Sequence, residues 1–174
     1  LAEFRAREGK RDAADTSATS IEEYLSGTAG WRTDLYAGGG RGTLMTHAES
    51  LQLFSELGVG MTPALTAPQV LMPFEGDYMQ AQYAQQMIDE YVAAGIPPRQ
   101  VWPQSFRYED VLYWLEQAPA FAEQVVMLEG RSYIDASDPV AVAALDPSLE
   151  QMAEDGVRII APPMQALLQL EEGN

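Results

Sequence analysis

Val101-Trp102-Pro103-Gln104-Ser105-Phe106 is a short apolar run that meets a polar glutamine and passes at once into an amphipathic segment, Tyr108–Gln117. A strand that ends on a polar side chain just before a helix is how α/β sheets place ligand-contacting groups outside the carboxyl ends of their strands. Gln104 is therefore the first candidate site residue. Moving outward, the same unit recurs: an amphipathic helix, a Gly or Pro break, then a buried apolar strand. Thr46-His47-Ala48-Glu49 has the Thr-x-x-Glu spacing of a capping box, which predicts a helix from His47 to Gly58 with Leu51, Phe54 and Leu57 on the face that packs on a strand at 59–65. Pro68 and Pro73 mark 66–77 as a loop. Tyr83, Met87, Ile88 and Tyr91 have helical spacing and read as core packing, and Gly95 with Pro97-Pro98 stops that helix.

Beyond the opening stretch, the helix 108–117 carries Val111, Leu112 and Leu115, and a strand at 125–128 and a loop at 129–144 follow. A last helix at 147–154, capped by Asp146 with Pro147 in its first turn, leads to a strand at 157–161 and a turn at Pro162-Pro163. Four strands alternating with helices, each apolar throughout, predict an α/β fold with a parallel sheet covered on both faces.

The 174 residues suffice for one domain with a core. The formal charge of −16 argues against nucleic acid or an anionic membrane as partner, because both require a basic footprint. Lys10 is the only lysine, so a mechanism that needs lysine in the core region has no candidate. The absence of cysteine excludes thiolate zinc sites, cysteine nucleophiles and disulfides. No apolar run approaches the roughly 18 residues of a membrane span. His47, the one histidine, stands at a first helical position, where a solvated residue is expected more often than a ligand or base. A single histidine cannot make a His-based metal cluster.

Residues 1–43 are polar and rich in small side chains, with short helical patches at 1–7 and 21–25 and a Gly38-Gly39-Gly40 tip. This segment reads as a long excursion of lid or insertion type. The triple glycine is either a flexible turn or a phosphate cradle, but its spacing is not that of a Walker loop and no lysine follows.

Several segments, in this order, resemble the glycerophosphodiester phosphodiesterases, in particular a longer bacterial-type branch with an insertion after the third barrel strand. They are Tyr24-Leu25 with Trp31-Arg32-Thr33-Asp34-Leu35-Tyr36, Thr46-His47-Ala48-Glu49-Ser50, 58–63, 83–91, 102–106, Asp110-Val111-Leu112-Tyr113-Trp114 and 159–164. The resemblance implies a (β/α)8 TIM barrel of which the chain holds the middle, about strands four to seven, with 1–43 as the insertion and 44–174 as the central part of the barrel. It also implies a hydrolase of phospholipid and glycerol metabolism, which cleaves a glycerophosphodiester to glycerol 3-phosphate and an alcohol with the help of a divalent cation, calcium or magnesium. A periplasmic or secreted parent protein is implied as well.

The family's catalytic histidines and most of its metal ligands lie in motifs that precede this stretch, so no catalytic or metal residue is assigned here. The fourth strand of the family ends Thr-Pro-Glu-Leu-Lys, whereas this chain has Thr62-Pro63-Ala64-Leu65-Thr66. Alanine offers a hard cation no lone pair, and threonine lacks the positive charge that a phosphodiester transition state draws on. Gln104 and Phe106 match the family's substrate-binding positions at the end of the fifth strand. Gln104 then either orients a phosphate oxygen or metal-bound water, or is a strand-end amide that caps the next helix. The expected function is a phosphodiesterase lineage inactive in this chain, with a non-catalytic ligand- or partner-binding barrel as the alternative. Open sheet edges at 59–65 and 157–161 predict self-association.

Overall fold

The computed structural model describes residues 2–6, 19–20, 23, 44–131, 139–164 and 167. The chain groups into two compact units, Leu1–Glu49 and Ser50–Asn174. In the first, α1 is Ala2–Arg5, and Arg5 pairs with Glu49. The predicted capping box is present: Thr46 N–H donates to Glu49 Oε2 (2.8 Å) and Glu49 N–H to Thr46 Oγ1 (3.2 Å). It starts α2, His47–Leu57, and these hydrogen bonds hold the Glu49 carboxyl below its ordinary value. The triple glycine and the Tyr24-Leu25 and Trp31–Tyr36 matches fall outside the described residues.

In the second unit the helices are α3 (Gln80–Ala93), α4 (Tyr108–Gln117), α5 (Pro139–Ala143) and α6 (Leu149–Glu154). The strands are β1 (Gln104–Ser105), β2 (Val126–Leu128) and β3 (Ile159–Ala161). The three strands form a parallel sheet in the order β1-β2-β3, with Gln104 opposite Val126 and Val126 opposite Ile159. On the far side of β1, parallel bridges Met61–Val101 and Ala64–Gln104 add a fourth extended segment. The predicted α/β class and its four parallel segments are therefore present, in simple chain order. The segment at 59–65 pairs at these two bridges and is not a continuous strand.

Local chemistry explains the repeat. At the end of α3, Gly95 takes φ +68°, and Ile96 N–H reaches back to Tyr91 O (3.1 Å). At the end of α6, Gly156 takes φ +95°, and Val157 N–H reaches Met152 O (2.9 Å). A residue without Cβ turns the chain left-handed at low cost, and the next residue is aimed back toward the sheet. The α3 stripe is buried as expected, through Ala84, Met87, Ile88 and Tyr91. Against it lies Trp114 of α4, fully buried, its indole N–H donating to Ala84 O at 3.1 Å.

Burial alternates along the edge segment. Met61 and Leu65 are buried, whereas Thr62 and Ala64 are exposed; along β1, Val101 and Ser105 are buried and Gln104 is half-buried. Successive strand residues face opposite sides, so the core, with Met61, Leu65, Val101, Val111, Trp114 and Met127, lies on one face of the sheet. The expectation that both faces are covered holds at β2, where Val126, in register with Gln104, is buried on the second face; at the 61–64 edge it is corrected, since Thr62 and Ala64 are exposed there.

Three local expectations also change. Of the α2 face, Leu51 is buried but Phe54 and Leu57 are exposed, so the helix docks through its first turns only. The last helix begins at Leu149, because Ser148 is its cap: the Ser148 hydroxyl accepts from Gln151 N–H (3.1 Å), while Asp146 and Pro147 stay outside the helix. In α4 the buried residues are Asp110, Val111 and Trp114, with Leu112 and Leu115 half-buried.

Candidate functional site

The strand ends carry a row of side chains set by the register. Ala64 and Gln104 are bridge partners, so they point to the same side of the sheet. Gln104 Nε2 donates to Thr62 O at 3.2 Å, and its Oε1 is the acceptor atom of the same amide. Gln104 does not cap the next helix. The α4 cap is Arg107, whose own side chain makes no cap hydrogen bond. Thus Gln104 is a half-buried amide fixed across two extended segments, between exposed Ala64 and buried Val126.

Phe106 follows one step beyond β1 and is 64% exposed. Its ring lies over Gly130: a Cβ added at Gly130 would come within 3.1 Å of Phe106 Cδ1. The glycine is needed for the close approach of ring and backbone. Phe106 thereby forms one wall of a cleft of about 360 Å³ between the β1–α4 and β2–α5 connections, with Arg107, Glu109, Leu128, Glu129 and Arg131 among its lining. Gln104 is not part of this wall, so the two expected substrate-binding residues border neighbouring surfaces at the strand ends.

The electrostatics of the cleft centre on Glu129 and Arg131. Arg131 Nε donates to Glu129 Oε1 (2.8 Å) and Nη2 pairs with Glu129 Oε2, while Nη1 reaches Asp146 O (3.0 Å) and Pro147 O (3.2 Å). Glu129 also accepts the Arg131 backbone N–H at 2.7 Å. The guanidinium bonds hold the Glu129 carboxyl below its ordinary value against the opposing effect of burial, and they raise Arg131 in turn. The pair braces the loop after β2 to the start of the last helical unit. Arg107 carries a looser charge, 3.8 Å from Glu109 and partly solvated. Tyr108 donates to Asp155 Oδ2 (2.6 Å), and burial followed by that hydrogen bond pushes its hydroxyl up to about 12.

The residues present do not fit the divalent cation that the resemblance implies. Ala64 supplies no oxygen, Glu129 is engaged by Arg131, and among the described residues no group of three or more His, Cys, Asp or Glu side chains converges. His47 is half-buried with its Nε2 shielded from solvent, not the solvated residue expected. The Glu129–Arg131 brace and a buried Asp110 were not singled out from the sequence. A Glu-x-Arg spacing directly after a strand was the one signal available for the brace, and an Asp in a helix's first turn reads by itself as an exposed end charge.

The sequence matches no family model and no solved structure. It is 39% identical over 163 residues to a protein named "Extracellular protein" from Arthroderma benhamiae, an alignment that covers 94% of this chain. The chain spans 64% of that relative's length. Among the described residues, no helix is long and apolar enough to cross a membrane.

Proposed function

We propose that these parallel segments are consecutive strands of a (β/α)8 barrel of glycerophosphodiester phosphodiesterase type, and that in this chain the strand-end face binds a glycerophosphodiester without hydrolysing it. One observation carries the reading. Four parallel segments run in unreversed chain order, 61–64, β1, β2, β3, with Thr62 and Ala64 exposed and Gln104 half-buried on the side opposite the helix-packed core. A doubly wound sheet reverses its strand order at a switch point; a barrel continues in one direction, and its helices stay outside. Gln104 and Phe106 then stand where barrel enzymes carry ligand contacts. A secreted setting accords with the name of the relative.

Loss of turnover follows from Ala64 and Thr66. The acceptor amide of Gln104 suits the hydroxyls of a glycerol moiety, and the Phe106 ring suits its carbon edge. A barrel kept as a ligand-binding module is the form of the proposal that exposed Ala64 favours.

Trp102 neighbours Gln104 and lies over Gly60, so it supplies a probe. Titration with glycerophosphocholine should give a saturable change in tryptophan fluorescence that Gln104→Ala and Phe106→Ala each weaken about tenfold, the factor of one well-placed contact. Choline release with added calcium or magnesium should stay at the buffer rate. A flat titration, or one that both variants leave unchanged, would overturn the binding proposal. Metal-stimulated choline release would overturn the claim that turnover is lost.

A further inference from the structure

Ser105 and Asp110 are the two buried polar residues among those described, at 0% and 2% exposure. Asp110 Oδ2 accepts from Ser105 Oγ (2.8 Å) and Oδ1 from Gln80 Nε2 (2.8 Å). Ser105 Oγ in turn accepts Arg107 N–H (3.0 Å) and lies 3.4 Å from Leu65 O. The positions of these partners in the chain give the network its meaning. Leu65 is the last residue before the loop 66–79, and Gln80 is the first residue of α3 immediately after that loop. The far root therefore meets the buried carboxylate directly, while the near root is held to the same strand end by Leu65 N–H donating to Gln104 O (2.9 Å), next to Ser105, whose one hydrogen goes to Asp110. Between them the loop exposes Val70, Leu71 and Phe74, with Leu71 at 92%, and its one internal bridge joins Phe74 to Tyr78.

We infer that Asp110 is a positioning residue, a buried clamp that fixes the loop 66–79 against the strand end carrying Gln104 and Phe106. Ser105 sits between those two residues in β1 and its sequel, so the group that anchors the loop also sets the backbone from which both project. A carboxylate in the first turn of α4 also favours that helix end through the helix dipole. The dipole, however, asks nothing of Gln80, and the 2.8 Å bond from another helix is what the clamp adds. The inference concerns loop position alone and stands apart from phosphodiester binding.

The geometry also fixes what a conservative replacement does. In Asp110→Asn, Oδ1 still accepts from Gln80, and Nδ2 donates to Ser105 Oγ, whose own hydrogen then turns to Leu65 O. Gln80, Ser105 and Arg107 each keep a partner, and only the second Nδ2 hydrogen is added without one. Asp110→Ala leaves Gln80 without its acceptor and turns the Ser105 hydrogen to Leu65 O, and Gln80→Ala releases the far root while α4 and its first turn stay intact.

Amide hydrogen exchange read by mass spectrometry on the 174-residue chain tests this. Gln80→Ala and Asp110→Ala should each speed exchange roughly tenfold or more in peptides spanning 66–79, the factor for losing a hydrogen bond to a charged acceptor. Peptides from α6 should keep wild-type rates, and Asp110→Asn should return 66–79 close to wild type. Wild-type exchange of 66–79 in Gln80→Ala overturns the inference, as does acceleration spread evenly over the chain. If Asp110→Ala does not fold, Gln80→Ala decides alone.

Discussion

Removing the guanidinium while keeping the stem, Arg131→Met, tests the brace beside the cleft. The Glu129 side chain is 10% exposed and that of Arg131 29%, so the substitution strands a nearly buried carboxylate and frees two carbonyl oxygens, those of Asp146 and Pro147. Breaking a buried pair from one side costs about 3–5 kcal/mol. Here the cost is smaller, because the guanidinium is partly solvated and Glu129 keeps the residue 131 backbone N–H. About 2–3 kcal/mol is expected at pH 7, or roughly 4–12 °C in melting temperature for a chain of this size. Glu129→Gln, which retains an acceptor, should cost about 1 kcal/mol.

The pH dependence has a definite sign. The folded-state Glu129 value is lowered, chiefly by Arg131, so its contribution is fully present above the ordinary carboxylate value of 4.5 and is lost as pH falls through the lowered folded value. The deficit of Arg131→Met should therefore be largest at neutral pH and shrink in acid. Urea melts followed by circular dichroism at several pH values down to the acid limb measure both. A variant within about 0.5 kcal/mol of wild type at pH 7, the size of an ordinary surface change, would refute the brace, and so would a deficit that stays constant into acid.

Trp114 fills the α3–α4 interface, and Trp114→Ala should cost about 3–5 kcal/mol through the cavity it leaves. Trp114→Phe, which loses the bond to Ala84 O and part of the ring, should fall between that and wild type; equal melts for the two variants in denaturant would contradict the packing described. The sheet has outer segments at 61–64 and β3, whose free backbone groups invite pairing. Static light scattering should report a mass above one chain that grows with concentration, and a monodisperse single-chain mass over the whole range would show that these edges do not drive association.

Much of the secondary structure was legible because its determinants are local. The Thr46–Glu49 box, the Gly95 stop and the Tyr83-Met87-Ile88-Tyr91 stripe act within a turn or two, and the start of α2 and the end of α3 follow from them. The α6 start was misplaced for an equally local reason: Asp146-Pro147 and Ser148 compete as helix signals, and only the Ser148 hydroxyl meets a backbone N–H. The parallel direction of the four segments was legible from alternation alone. The exposure at the 61–64 edge was not, since an apolar residue such as Ala64 reads as core whether or not anything covers it.

By itself, then, the sequence determined the α/β class, the parallel direction of the strands, the acidic balance that argues against nucleic acid, and Gln104 and Phe106 as residues at a strand end. Tertiary structure alone decided what each touches: Gln104 bound to Thr62 beside exposed Ala64, Phe106 over Gly130, Arg131 spent on Glu129 and two carbonyls, and Asp110 joining Gln80 to Ser105. The division has a physical cause. Caps, helix stops and hydrophobic periods are set by residues within a few positions of one another, whereas Gln80 and Asp110 lie 30 residues apart in the chain, and their contact exists only once α3 and α4 have packed.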